Sequence, residues 1–259
     1  MSSKTDQKEM GILEHLEELR QRLVRAVIAL IVGVIIGTFL AVPVLQALVQ
    51  PIKDAGQMPL ALSPVEAPTI FFKVAIVIGV VLAMPVIVYE LFMFVAPGLE
   101  PHEKRYVLIG APAASLCFAS GVIFAAKVLL PTALPFLRGF LQGIVEQRYS
   151  IDYYISFVSN VLLWAGLVFE TPLVMFFLAK LGVIDHRGFA KARRVVIIGA
   201  AAGAAIITPT TDPLNMILVM VPFMLLYELG ILLARLARPD RLKQQRPQKR
   251  KDRKRKEKQ

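Results

Sequence analysis

The chain has 259 residues, of which 56% are hydrophobic and 19% charged, and its mean hydropathy is +0.61. A disordered chain is excluded because it requires low hydrophobicity, and a soluble domain is disfavoured because such domains hold about 25% charged residues. The net charge of +11 suggests a nucleic-acid partner until it is located. The tail, residues 235–259, holds 13 of the 30 Lys and Arg residues and only three acids, so the rest is nearly neutral and no nucleic-acid partner is predicted.

The N-terminal segment, residues 1–25, is charged and ends in a stretch with helical spacing. Ile12, Leu16, Leu19 and Leu23 recur on one helical face. This pattern predicts a cytoplasmic amphipathic helix that lies along the inner membrane interface and leads into the first span. The acids of this stretch are Glu14, Glu17 and Glu18.

Residues 26–234 are predicted to form a transmembrane domain of six helices. The first apolar run is uncharged and 20 residues long, the length that crosses about 30 Å of hydrocarbon. The runs are apolar on all sides, which favours membrane helices over the core helices of a soluble protein. The six predicted spans are residues 26–45, 70–96, 106–126, 153–179, 195–208 and 214–234.

The charges of the connections predict the orientation of the chain. Six spans place both termini on one side, and that side holds 25 Lys and Arg residues against four on the other. Because basic connections stay in the cytoplasm, the prediction is N-in and C-in. Residues 235–259 are interpreted as a disordered basic tail that enforces topology and touches anionic lipid headgroups.

Prolines and one short run predict the shape of the transmembrane domain. The fifth run has 14 residues and reaches only about 21 Å, so its outer turn lies below the interface or the bilayer thins locally. Proline favours a kink, and several bent helices predict a concave body. The prolines within the spans are Pro43, Pro85, Pro112, Pro172 and Pro222.

Glu170 is the most unusual charge, since it lies about midway along the fourth span. A charge there costs about 2.5–3.5 kcal/mol on insertion scales, and protonation would remove most of that cost. It is either a polar docking or proton-linked site, or a structural group with a satisfied hydrogen bond. Asp212, in the last outer turn, either caps the sixth helix or forms a polar group in a shielded pocket.

Acids also cluster at the inner surface, where Glu100 and Glu103 follow the second span. These carboxylates either pair with neighbouring bases or form a receptor for a basic ligand, because a carboxylate binds a guanidinium through two parallel hydrogen bonds. Two small-residue patterns, Gly33 to Gly37 and Gly199 to Gly203, predict close helix packing, either within the chain or between chains.

Catalytic and metal sites are not predicted. There is no G-x-S-x-G, H-E-x-x-H or phosphate-binding loop. One cysteine and three separated histidines leave little for a metal site. Neither enzyme activity nor a cofactor is therefore expected.

Four motifs are specific when they are taken together. They are His15-Leu-Glu-Glu-Leu-Arg20-Gln-Arg22 before the first span, Phe94-Val-Ala-Pro97-Gly-Leu99 with His102-Glu103-Lys104-Arg105 in the first inner loop, Phe169-Glu170-x-Pro172 in the fourth span, and Thr208-Pro209 with Asp212 in the last outer turn. With these motifs the chain, except for its tail, resembles the TatC family of signal-peptide receptors in the twin-arginine protein translocase.

The resemblance implies six helices in a cupped shape with short fifth and sixth helices. It also implies that the inner face binds the twin-arginine motif of a folded cargo's signal peptide, with Glu18 and Glu103 as the anionic contacts. Glu170 would face the concavity and contact partner subunits or the inserted peptide, and Asp212 would be a second polar contact. The other residues implied to line or shape the peptide site are Arg20, Phe94, Leu99 and Arg105.

Partners and location follow from the same resemblance. It implies single-span TatA and TatB-like subunits docked on the fifth and sixth helices, self-association, and transport driven by the proton-motive force without a nucleotide. The chain would be a multi-pass protein of the bacterial plasma (inner) membrane with both termini in the cytoplasm. The alternative is a small-ion or proton-coupled secondary transporter with Glu170 as its coupling site, although no inverted repeat is evident.

Overall fold

The computed structural model describes residues 12–54, 58–95, 104–139, 150–180, 182–207 and 213–237. Within these ranges the chain is helical and has no strand, so the prediction of an all-helical chain is confirmed. The helices form six segments along the chain. They are α1 (Ile12–Asp54), α2 (Glu66–Val95), α3 (Lys104–Phe124) with a π-helical turn (Ala125–Leu129) and α4 (Leu130–Gly139), α5 (Ile151–Phe169) with α6 (Thr171–Lys180), α7 (His186–Ile207), and α8 (Pro213–Leu236).

Five of the six segments are long and apolar enough to cross a membrane. The segment that does not qualify is α7, because its first half carries the charges of Arg187, Lys191, Arg193 and Arg194 and leaves a short apolar end. The qualifying ranges are Glu14–Asp54, Glu66–Phe94, Gly110–Pro135, Ile151–Lys180 and Val219–Leu236.

The first helix differs from the prediction at its N-terminal end. α1 runs without a break through 43 residues, which corresponds to about 64 Å at 1.5 Å per residue. No interruption marks the predicted boundary at residue 25. The amphipathic stretch therefore extends the first span as one helix, where the sequence pattern predicted a separate segment along the interface.

The third segment is also longer than predicted. The helix that begins at Lys104 continues through the π-helical turn into α4 and ends at Gly139, beyond the predicted end at residue 126. A π-helical turn accommodates one extra residue without ending the helix. Leu129, Leu130 and Leu134 are buried in the core, so tertiary packing stabilises a stretch that the sequence pattern assigned to an outer connection.

The fourth span is divided at Glu170. α5 ends at Phe169, Glu170 lies in a turn, and α6 begins at Thr171 with Pro172 in its first turn. Proline lacks the N–H that would bond to the carbonyl of Val168, and it is tolerated in a first turn. The break therefore has a local cause and places the acidic residue at a helix junction.

Three buried clusters connect the helices. The first joins α1, α2, α5 and the π-helical turn with α4, the second joins α2, α3 and α6, and the third joins α6, α7 and α8. Large apolar side chains on the other face of α1, among them Ile28, Ile35 and Phe39, are exposed. An exposed apolar face of this size is what a lipid-facing helix requires.

Close contact between α1 and α2 depends on glycine. A Cβ atom on Gly33 would lie 2.5 Å from the carbonyl oxygen of Gly79, and one on Gly37 would lie even closer to the carbonyl oxygen of Ala75. The intramolecular interpretation of the Gly33 to Gly37 pattern is thereby confirmed. A Cβ on Gly199 or Gly203 would meet nothing within 4 Å.

Replacing Gly37 by Ala is expected to destabilise the protein. The added methyl group would meet the backbone of α2, and such overpacking costs about 1–3 kcal/mol. The control is Gly203→Ala, where the space is open and alanine improves helix propensity by about 1 kcal/mol. In purified protein, the thermal midpoint should fall for Gly37→Ala and hold or rise for Gly203→Ala; equal shifts would contradict the packing.

Candidate functional site

Two helix ends build the candidate site. The α1–α2 contact around Gly33 and Gly79 runs the two helices side by side in opposite directions, so the start of α1 lies beside the end of α2. Glu18 and Arg22 lie one turn apart on α1, and Glu90 and Phe94 lie one turn apart on α2. The predicted site residues Glu18 and Phe94 are thereby brought to one place.

Arg22 connects the two helices at this place. Its Nε donates to Oε1 of Glu18 at 3.0 Å, its Nη2 donates to the same oxygen, and its Nη1 donates to Oε2 of Glu90 at 3.1 Å. The Arg22 and Glu90 side chains are only 14% and 8% exposed. The guanidinium is therefore shared between one carboxylate on each helix in a largely desolvated setting, where charged hydrogen bonds are strong.

The second oxygen of Glu18 has no such partner. Oε2 is buried and makes no hydrogen bond to any residue that the structure describes, and Nδ1 of His15 is 3.8 Å away. The His15 ring stacks on the ring of Phe94, with centroids 4.4 Å apart and planes inclined by 19°. The buried Oε2 of Glu18 thus lies close to the stacked rings of His15 and Phe94.

The other predicted peptide-site residues are not in this cluster. Arg20 is 76% exposed and lies 3.5 Å from Glu17. Leu99 and Glu103 are outside the described residues, and for Arg105 only the backbone, in the first turn of α3, is described. The predicted contacts of these residues stay predictions.

Glu170 is buried at the α5–α6 junction, with 6% of its surface exposed. Its carboxyl lies near the backbone of Phe118, but neither oxygen has a hydrogen-bond partner among the described residues. A polar docking or proton-linked role and a structural role both stay predictions for this residue. Asp212, the other predicted membrane contact, lies outside the described residues.

Two further ion pairs connect helices away from the cluster. Arg193 on α7 makes two short contacts to Glu228 on α8, at 2.7 and 2.8 Å. Lys73 on α2 donates to Asp152 at 2.7 Å and to Ser156 at 2.6 Å, both on α5. Lys73 is therefore a link between α2 and α5.

Sequence reasoning missed the roles of His15, Arg22 and Glu90. The Glu18–Arg22 pair has the i,i+4 spacing that favours such contacts, so the sequence alone indicates this pair. Arg22 and Glu90 are 68 residues apart, and no local pattern predicts that pairing. Among the described residues, no group of three or more His, Cys, Asp and Glu side chains is placed to hold a metal.

Comparison with known proteins shows which family the chain belongs to. A family model described as Sec-independent protein translocase protein (TatC) matches residues 14–222. The chain belongs to the TatC family. This confirms the resemblance drawn from the motifs, and it makes the chain a multi-pass membrane component of a protein translocase and not an enzyme.

Individual TatC proteins are similar along most of their length. The Sec-independent protein translocase protein TatC of Deinococcus radiodurans is 38% identical over 233 residues, which are 88% of this chain and 86% of the relative. The chloroplastic protein of Pisum sativum is 36% identical, over 90% of this chain and 66% of the relative. A crystal structure of the twin arginine translocase receptor TatC superposes with a TM-score of 0.77 at 38% identity, covering 86% of this chain and 99% of that one.

Proposed function

We propose that this TatC-family chain is the receptor of its translocase and binds the twin-arginine signal peptide of folded precursors at its cytoplasmic face. The observation that carries the proposal is the buried Oε2 of Glu18, which makes no hydrogen bond to any described residue and lies 3.8 Å from the His15 ring that stacks on Phe94. A guanidinium can donate to that oxygen and lie against the ring. The similarity to a crystal structure of a twin arginine translocase receptor supports the same conclusion.

The two arginines of the peptide need two acceptors in this proposal. Glu18 supplies one, and Glu103, which directly precedes α3 in the sequence, supplies the other. Carboxylates favour arginine over lysine because the planar guanidinium donates two parallel hydrogen bonds where an ammonium presents a point charge. Arg20, Leu99 and Arg105 shape the same site.

The proposed topology places that site in the cytoplasm. The N-terminal segment, the connections after α2 and α6, and the C-terminal tail hold 25 of the Lys and Arg residues, so both termini and the site lie inside the plasma membrane of a bacterium. In this topology α7 crosses as a short helix, with its charged first half in the cytoplasm. The body is cupped, and the tail lies against anionic lipids.

Transport is proposed to need single-span TatA and TatB-like subunits. These would dock on α7 and α8, where Gly199 and Gly203 present open backbone to an approaching helix. Glu170 would contact these subunits or the inserted peptide, with Asp212 nearby, and the proton-motive force would drive transport.

The rival function, a proton-coupled secondary transporter, draws on the buried carboxyl of Glu170, which makes no hydrogen bond to any residue that the structure describes. One experiment separates the two: the tagged chain is purified from its own membrane in mild detergent, and the purified chain alone is reconstituted in vesicles under a proton gradient. The receptor proposal expects small single-span proteins to co-purify and expects no proton flux above empty vesicles. Flux that disappears in Glu170→Gln would contradict it and favour the transporter.

A further inference from the structure

Glu90 on α2 binds the same guanidinium that meets Glu18 on α1. The Glu90 side chain is 8% exposed, and its Oε2 accepts from Nη1 of Arg22 at 3.1 Å. With Nη1 engaged there, Nε and Nη2 of Arg22 both converge on one oxygen of Glu18. Glu18 Oε2 is buried, makes no hydrogen bond within the described part of the chain and has Nδ1 of His15 at 3.8 Å.

This geometry is not the one that an isolated arginine–carboxylate pair prefers. Such pairs are frequently bidentate, with two parallel N–H···O bonds to the two oxygens. Glu18 and Arg22 are one turn apart on the same helix, so an Arg22 released by Glu90 could turn toward both oxygens of Glu18. An internal arginine would then occupy the acceptor that the proposed ligand needs.

The formal charge of the cluster also favours binding of a further guanidinium. Glu18, Arg22 and Glu90 together carry a formal charge of −1, because one guanidinium is shared by two carboxylates. Arg25 lies 3.6 Å from Glu90 Oε1, but its side chain is 59% exposed, so this contact is weak. The three groups therefore keep a formal negative charge that, among the described residues, only the exposed Arg25 and, when it is protonated, His15 offset, and a ligand guanidinium can add to this neutralisation.

We propose that Glu90 is a positioning residue: it draws the Arg22 guanidinium away from Glu18 Oε2 and thereby keeps that oxygen free for an arginine of the bound peptide. The inference rests on the proposed function, since it takes Glu18 as a ligand contact. It assigns Arg22 the role of an internal competitor whose position depends on Glu90. The close packing of α1 on α2 at Gly33 and Gly37 does not involve this pair, so the helices are expected to stay together without it.

The test measures binding of a fluorescent peptide carrying a twin-arginine motif to the full chain in lipid nanodiscs. Glu90→Gln is expected to weaken binding about tenfold, the size of coupling typical of residues in one ion-pair network. Adding Arg22→Gln removes the competitor, so the double variant should recover to within about threefold of the original affinity. The control is Glu228→Gln, which breaks the Arg193–Glu228 ion pair between α7 and α8. This variant should bind the peptide as tightly as the unmodified chain does.

The rescue distinguishes positioning from a merely structural role. If Glu90 only held the helices together, the double variant would bind no better than Glu90→Gln, and that result would overturn the inference, as would unchanged binding in Glu90→Gln. If Glu90→Gln does not fold, Glu90→Asp, which retracts the carboxylate by one methylene, must show the same loss and the same rescue. Unchanged binding in Glu18→Gln would instead overturn the peptide site proposed above, so the two failures are distinguishable.

Discussion

Replacing Glu103 by Gln is expected to abolish crosslinking between the chain and a twin-arginine precursor while leaving membrane insertion intact. The substitution keeps the size of the side chain and removes the negative charge of the carboxylate that is proposed to accept the guanidinium. Loss of one partner from a desolvated charge pair costs about 2–5 kcal/mol, which lowers affinity at least about 30-fold. The measurement is site-specific photo-crosslinking in membranes, with the amount of inserted protein quantified in parallel.

A neighbouring acid provides the control for this substitution. Glu100 lies in the same connection, three residues before Glu103, and Glu100→Gln makes the same change in net charge. It should leave crosslinking within about twofold, since no contact with the peptide is proposed for Glu100. Equal loss in both variants would point to a general effect of charge, and undiminished crosslinking in Glu103→Gln would rule out its assigned role.

Replacing Glu170 by Leu is expected to stabilise the isolated chain and to stop transport. A buried carboxyl that makes no hydrogen bond to the described residues carries a desolvation cost of about 1–3 kcal/mol, which a leucine at the α5–α6 junction does not carry. In a chain of this size the thermal midpoint should rise by at least about 2 °C. Export of a folded precursor should fall to background, because the polar contact proposed for this residue is gone.

Ser159 on α5 is the matched control for Glu170. It is buried, and its hydroxyl also lacks a hydrogen bond within the described part of the chain, but no role in transport is proposed for it. Ser159→Ala should hold or raise the thermal midpoint and leave export unchanged. A lower midpoint in Glu170→Leu would mean that the carboxyl has a stabilising partner, and normal export in that variant would remove Glu170 from the proposed mechanism.

The sequence predicted the helical segments well where hydropathy alone decides them. Uncharged runs such as residues 26–45 can only be helices if they cross a bilayer. Sequence missed the continuity of α1 across residue 25 and the extension of the third segment to Gly139, because both depend on neighbouring helices. Local chemistry explains the break at Glu170, since Pro172 removes a backbone hydrogen bond.

The two glycine patterns show the limit of such reasoning. Gly33 to Gly37 and Gly199 to Gly203 have the same spacing, yet the first pair packs on α2 and the second meets open space. Spacing predicts that a helix face can pack closely, but only the fold decides whether another helix lies there.

Two residues of the candidate site were predictable from the sequence, but its arrangement was not. Motif resemblance identified Glu18 and Phe94, and the structure brings both into one cluster. The partner that sets the geometry, Glu90, comes from 68 residues away in the chain. Its pairing with Arg22 depends on how α1 lies against α2, which no pattern within either helix specifies.

The most direct measurement of the central claim compares two peptides on two proteins. Affinities of a twin-arginine peptide and its twin-lysine counterpart are determined for the unmodified chain and for Glu103→Gln in nanodiscs. If carboxylates recognise the peptide, the unmodified chain should prefer the arginine peptide by at least about tenfold, because lysine lacks the planar guanidinium that donates two parallel hydrogen bonds. Glu103→Gln should lose most of this preference. An identical arginine-to-lysine ratio in both proteins would contradict the account.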